Sequence, residues 1–357
     1  MRILLLCGYL LSFSHWALAL TPEQLQQADQ YLASINNWPA PHTDPAVQWQ
    51  ELSALNSLLP KVSAQEKARI ALGKQLFFDP LLSKNKDIAC ASCHLPEHAF
   101  SDGKKVSTGH LNRQGHRNSP SILTSGLSQQ LFWDGRSPNL TDQALHPIQD
   151  PVEMGFSINQ LIQRLNQHPT YPQQFKRVLQ QEAINQQQLA NLLASFQASL
   201  LTTINTPFER FMRGDHTALT VSERYGLHLF RTKARCMNCH FGPALSDQQF
   251  HNLGLTYYQR YYEDLGRFHV TNNPQDIGKF KTPSLRLVSH TGPWMHNGLF
   301  PKLEGVINMY NAGMFHPQPK NARQAADPFF PTTDPLLQPL ELTLAEKDYL
   351  LQFLKTL

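Results

Sequence analysis

The sequence predicts a mostly α-helical protein built as two tandem units, and three observations carry that expectation. Two-residue alternation of apolar and polar residues is nearly absent, so strands should be few and short. Capping boxes at Ser63-Ala-Gln-Glu66, Thr220-Val-Ser-Glu223 and Thr343-Leu-Ala-Glu346 each stand ahead of an apolar-periodic run, the mark of a helix start. An internal repeat is also present: Gly73-Lys-Gln-Leu76-Phe77 and Gly226-Leu-His-Leu229-Phe230 each precede a Cys-x-x-Cys-His, and Ala99-Phe-Ser101-Asp102 and Ala244-Leu-Ser246-Asp247 follow them. A chain of 357 residues suits two domains of common size.

Taken in order, the first nineteen residues read as a secretory signal. Met1 and Arg2 give a short basic start, Ile3 to Ala19 are almost wholly apolar, and Ala17-Leu18-Ala19 supplies small residues for cleavage near Ala19. Ser12, Ser14 and His15 interrupt the run and no second one follows, so an exported, periplasmic protein without stable membrane insertion is expected. Thr21-Pro-Glu-Gln24 then opens a Gln-rich arm with Leu25, Ala28, Leu32 and Ile35 on one side, a packing or docking helix. Further helices are expected over 157–166 and 187–203, and a last one on which Leu350, Phe353, Leu354 and Leu357 share a face. The stretches 96–130, 243–300 and 311–340 are long, polar and rich in Gly, Pro and Asn, and such loops in a compact protein are usually functional. The division that follows is a signal over 1–19, a first domain with the arm over 20–206, a second over 207–340, and a C-terminal helix over 341–357 that packs back on the first.

Charge adds little. The net +4 includes Arg2, and no Lys/Arg run or basic stripe interleaved with aromatics marks a nucleic-acid footprint.

Cysteine says more. Cys7 leaves with the signal; the other four form Cys90-Ala-Ser-Cys93-His94 and Cys236-Met-Asn-Cys239-His240. Exported chains usually pair cysteines, so two disulfides or one four-cysteine zinc site are the plain alternatives. Against them, both pairs are followed directly by His and no other mature cysteine exists. That is the attachment signature of haem c: two thiols bond the vinyl groups, and the adjacent imidazole reaches the iron. Two covalent haem c groups are therefore expected, with His94 and His240 as proximal ligands, in two cytochrome-c-like domains.

The segments IALGKQLFFDPLLS, GHRNSPSIL, LFWDGRS, QALHPIQDPVEMG, FHNLGL, FKTPSLR and TGPWMHNG resemble the bacterial di-haem cytochrome c peroxidases and their relative MauG, from about residue 64 to the C-terminus. The resemblance implies a peroxide site at the first haem and an electron relay at the second. It implies that Trp133 lies between the haems, that Glu153 is the distal acid, and that Gln143 and Pro147 line the same pocket. It further implies that Asn118, Thr291 and Pro293 hold a calcium ion, two of them through backbone carbonyls of the kind hard cations accept. His110, sixteen residues beyond His94, stands where the family's peroxidases place a second His that caps the first haem at rest, with His98 and His116 as neighbours. His296 matches a recurrent family histidine. Leu287, where Asn is usual, and Trp294, where Tyr is usual, depart from the pattern.

The upper ligand of the second haem falls in LEGVINMYNAG, residues 303–313. At about 100° per residue, Leu303, Val306, Ile307 and Tyr310 share one helical face and Met309 points away. In the family, the position seventeen residues after the TGP proline is an axial Met in the peroxidases and an axial Tyr in MauG; here it is Tyr310, with Met314 beyond Gly313 as the other candidate ligand and a core tyrosine as the plain alternative. The function expected is reduction of hydrogen peroxide with electrons from a small cytochrome c or cupredoxin. The alternatives are a MauG-like oxidase acting on Trp or Tyr of a partner protein, and a two-haem electron carrier. A homodimer is compatible with each.

Overall fold

In a computed structural model, residues 20–55 and 62–357 are described. The expected signal over 1–19, with Cys7, lies outside them. Among the described residues no helix is long and apolar enough to cross a membrane.

Two hydrophobic cores organise the chain, each around a pair of crossed helices. In the first unit, helix Ala64–Phe77 packs on helix Gln186–Ser199, burying Leu72, Leu76 and Phe77 against Leu189, Leu192 and Phe196. In the second, helix Val221–Arg231 packs on helix Leu344–Leu354, burying Leu227, Leu229 and Phe230 against Leu350, Phe353 and Leu354. The repeated glycines mark the two crossings. A Cβ on Gly73 would lie 2.0 Å from the Leu192 carbonyl oxygen, and one on Gly226 2.1 Å from that of Tyr349. Both backbones approach to a distance that only glycine permits.

The capping residues act as the sequence predicts. Thr220 and Thr343 make both hydrogen bonds of the capping box, and Ser63 accepts from the Glu66 N–H. Helices at Ile158–Asn166 and Gln186–Ser199, the latter continued by a 3₁₀ turn to Thr203, match the expected spans. Among the described residues the strands are β1 (Phe250–His251) and β2 (Phe280–Lys281), an antiparallel pair with Phe250 opposite Lys281.

Two placements differ from expectation. The C-terminal helix packs on the second core, not the first: the Phe353 ring meets Phe208 and Phe230 at 5.7 and 5.3 Å between centroids. It is the second unit's counterpart of helix Gln186–Ser199, and each unit closes on its own last helix. The Gln-rich arm, grouped by sequence with the first unit, also joins the second. Ala28 and Tyr31 enter that core, the Tyr31 hydroxyl meets His228 Nδ1 at 3.3 Å, and Arg224 pairs with Asp29 at 2.8 Å. Leu25 and Leu32 stay exposed, because Tyr31 offers the wider apolar face to helix Val221–Arg231.

The long loops make the junction between units. The β2 residue Lys281 donates its backbone N–H to the Trp133 carbonyl at 2.8 Å, and Asn118 donates its own to the His296 carbonyl at 2.8 Å. Arg117 spans the junction, bonding Asp134 at 2.6 Å on one side and both oxygens of Asp264 at 2.7 and 2.8 Å on the other.

Candidate active site

Each Cys-x-x-Cys-His folds as one tight 3₁₀ turn that points its residues to a common side. The His94 N–H reaches the Cys90 carbonyl at 3.1 Å, and the His240 N–H reaches the Cys236 carbonyl at 2.8 Å. The imidazoles are then oriented alike: His94 Nδ1 lies 3.0 Å from the Phe100 carbonyl and His240 Nδ1 lies 2.9 Å from the Leu245 carbonyl. A carbonyl only accepts, so Nδ1 carries the proton and the Nε2 lone pair is free for a metal. Burial lowers the pKa of both rings and keeps them neutral, the form that binds iron. Phe100 and Leu245, whose carbonyls do this, sit at φ 58° and 49°, part of the repeated Ala-x-Ser-Asp loop.

The disulfide and zinc alternatives do not fit this arrangement. All four cysteines are free, and the pairs belong to different cores, Cys90 packing on the first and Cys236 on the second. Burial pushes the thiols of Cys90 and Cys236 up to about 12. Two half-buried thiols beside a neutral imidazole with a free Nε2 form a donor set that fits a haem in each unit.

Tyr310 stands on helix Leu303–Asn311 and packs on the same core as Cys236. Leu303, Val306 and Ile307 are buried and Tyr310 packs beside them on the second core, as the helical face requires. Its pKa is raised, by burial first and then by the sulfurs of Cys239 and Cys236. His251 and Asp334 are further residues here that sequence reasoning did not single out. His251 Nε2 bonds Asp247 at 2.8 Å, Nδ1 bonds Asp334 at 2.6 Å, and Cys239 Sγ lies 3.8 Å away. Burial opposes its charge, yet the two carboxylates hold His251 up at about 12. Its place in FHNLGL was the available signal.

Beside the first turn is a cavity of about 250 Å³ lined by Phe132, Arg136, His146, Gln149, Asp150 and Glu153. Glu153 is pushed up to about 7, by burial first and by Asp150, with the Arg136 guanidinium opposing. Gln143 and Pro147 sit on the flanking short helices Leu140–Gln143 and His146–Gln149 but do not line the cavity. Arg136, His146 and Phe132 do; they stand in the same quoted motifs.

The His110 loop closes on this acid. The His110 N–H donates to the Glu153 carbonyl at 2.7 Å, and the ring lies over Gly155, where a Cβ would meet it at 2.7 Å. Of His98, His110 and His116 only His110 is buried, and its Nδ1 has no hydrogen-bond partner. A buried imidazole nitrogen without a partner is costly unless something binds it.

At the junction the Trp133 indole N–H donates to the Asn118 carbonyl at 2.9 Å, and its ring lies 6.5 Å from that of His296. His296 stacks on Phe280 at 3.6 Å and burial lowers it to about 3. The Asn118 side chain donates to the Lys104 carbonyl at 2.9 Å, which turns its Oδ1 the other way. Thr291 and Pro293 precede His296 in the loop whose His296 carbonyl accepts from the Asn118 N–H.

Two helical units, each presenting a half-buried Cys-x-x-Cys-His turn, define a protein built to hold two haem groups. The family model described as di-haem cytochrome c peroxidase matches residues 67–217. A cytochrome-c peroxidase, IdrP1, of Pseudomonas sp. (strain SCT) is 34% identical, with 84% of this chain and 83% of the relative covered. The methylamine utilization protein MauG of Methylophilus methylotrophus is 37% identical, over 69% of this chain and 72% of the relative. Among solved structures, a MauG-like protein associated with microbial copper homeostasis superposes with a TM-score of 0.72 at 30% identity, covering 88% of this chain and 95% of the other. The chain belongs to the di-haem cytochrome c peroxidase family, which includes both peroxidases and MauG, and it is an oxidoreductase acting on hydrogen peroxide.

Proposed function

We propose that this protein is a periplasmic peroxidase with two covalently attached haem c groups, reducing hydrogen peroxide to water with electrons relayed through the second centre. A small cytochrome c or a cupredoxin supplies them. Cys90 and Cys93 would attach the first haem, with His94 as its ligand, and Cys236 and Cys239 the second, with His240. When bound, the haem groups supply one-electron redox chemistry and the iron at which peroxide is reduced. The observation that carries this reading is the cavity at Glu153, an acid poised near neutrality beside the first attachment turn.

Splitting the O–O bond requires one oxygen to lose a proton and the other to gain it. Glu153, ionised on peroxide entry, takes that proton and returns it to the leaving oxygen. Arg136 steadies the carboxylate from the cavity wall, which His146 and Phe132 complete. His110 covers the first centre at rest; because its loop is bonded to the Glu153 backbone, its withdrawal and the exposure of the acid are one movement. Trp133 bridges the units as an oxidisable conduit. Asn118, Thr291 and Pro293 would hold a calcium ion, whose charge would stiffen that junction. In Glu153→Gln, peroxide turnover with a reduced donor should fall by ~100-fold or more, with both haems still attached. Full turnover in that variant contradicts the assignment and restores the electron-carrier reading.

Tyr310 favours a second reading. A phenolate ligand stabilises oxidised iron, whereas Met raises its potential, so a Tyr310-ligated centre suits a MauG-like oxidase that draws electrons from Trp or Tyr of a partner protein.

A further inference from the structure

Residues 256–264 read Thr-Tyr-Tyr-Gln-Arg-Tyr-Tyr-Glu-Asp, four tyrosines in a loop that no role described above employs. Three of their rings form a graded series, while Tyr258 turns away to bond Asp327. Tyr257 meets Tyr262 edge to face at 5.7 Å, and Tyr262 meets Tyr261 at 4.8 Å. Exposure rises outward along it: Tyr257 is half-buried, Tyr262 is 39% exposed and Tyr261 92% exposed. The inner rings carry cations on their faces, Arg260 at 4.9 Å from the Tyr257 centroid and Lys105 at 4.3 Å from that of Tyr262. Lys105 also donates to the Tyr262 hydroxyl at 3.0 Å. A cation over a ring is attracted by its π electrons and makes removal of one of them harder. The hole is thus disfavoured on the inner tyrosines and favoured on Tyr261, whose phenolic proton has water to accept it.

The loop is fastened to the conduit between the units. Asp264, two residues after Tyr262, takes the bidentate bond of Arg117, and the same guanidinium holds Asp134, the residue after Trp133. The backbone of Lys105 also packs on Gly298, two residues beyond His296, whose ring faces Trp133.

We propose that Tyr261 is a surface exit for oxidising equivalents, oxidised by one electron when peroxide is reduced and the donor fails to deliver its second electron. The inference rests on the peroxidase activity of the family. Each peroxide takes two electrons and two protons to become two waters; the donor gives one electron and Tyr261 the other, losing its phenolic proton to solvent. Two tyrosyl radicals on separate chains then join ring carbon to ring carbon, and the two displaced ring hydrogens move to the oxygens. The product is a dityrosine-linked dimer, lighter by two hydrogens than two separate chains.

The test uses the full chain with both haems attached, reduced by one electron, freed of donor and mixed with one equivalent of hydrogen peroxide. Peroxide consumption is followed separately from cross-linking, which is read by denaturing electrophoresis, dityrosine fluorescence and peptide mass. A Tyr261–Tyr261 peptide pair is expected, and its loss in Tyr261→Phe with peroxide consumption unchanged. Peroxide consumed without cross-link, or an undiminished cross-link in Tyr261→Phe, overturns the exit. No consumption of peroxide overturns the peroxidase reading itself and the exit with it.

Discussion

Glu153 must hold a proton and release it near neutral pH, and its neighbours set that balance. Burial and Asp150 raise it to about 7 while Arg136 pulls down. Only the ionised form can take a proton from peroxide, so the bimolecular rate should rise with pH through about 7 and level off above it. That limb should vanish in Glu153→Gln and move to higher pH in Arg136→Met, which removes the opposing cation. Tyr310 makes a second residue-scale prediction. If its oxygen ligates the second iron, Tyr310→Met should raise that centre's potential by something on the order of 100 mV, within the ~0.8 V that axial ligands span. Spectroelectrochemistry measures it, and an unchanged potential removes Tyr310 from the iron. Legibility differed sharply among these residues. The two Cys-x-x-Cys-His turns and the inward face of Tyr310 follow from spacing alone. Arg136 and His251 do not, because their importance comes from partners distant in sequence or from a cavity that only the fold assembles.

At the scale of elements, the repeated glycines carry more information than their sequence suggests. Helix propensity favours Ala over Gly by roughly 1 kcal/mol, so a helical glycine invites replacement. Here the Cβ would enter a carbonyl at 2.1 Å, and prying two packed helices apart costs more. Gly226→Ala should destabilise the second unit by about 1–3 kcal/mol net, read as an earlier melting phase assigned to the centre at His240. A rise in stability would show that the crossing is slack. Helix starts and spans were legible because capping and periodicity are local. The partners of the terminal helices were not: the Gln-rich arm and the last helix have amphipathic faces that fit either core, and tertiary packing decided for the second.

Across the whole molecule, single arginines tie segments that sequence leaves far apart. Arg286, fully buried, pairs with buried Glu209 and donates to the carbonyls of Ser53 and Pro243, while Glu209 accepts the Leu55 N–H at 3.0 Å. Removing one partner strands the other charge in the core, so Glu209→Gln should cost about 3–5 kcal/mol in denaturant unfolding; a variant within 1 kcal/mol of wild type would contradict this. The same long-range organisation brings the His110 ring against Glu153 and Gly155 in the first unit and packs Tyr310 on the second core, and the ligand roles proposed for these two residues support different electron sources. The most direct measurement mixes the fully ferric protein with hydrogen peroxide and follows optical and EPR spectra. For a peroxidase closed by His110, no reaction is expected until one haem is reduced. Prompt formation of a long-lived oxidised state without that reduction would contradict it and make the protein a MauG-like oxidase.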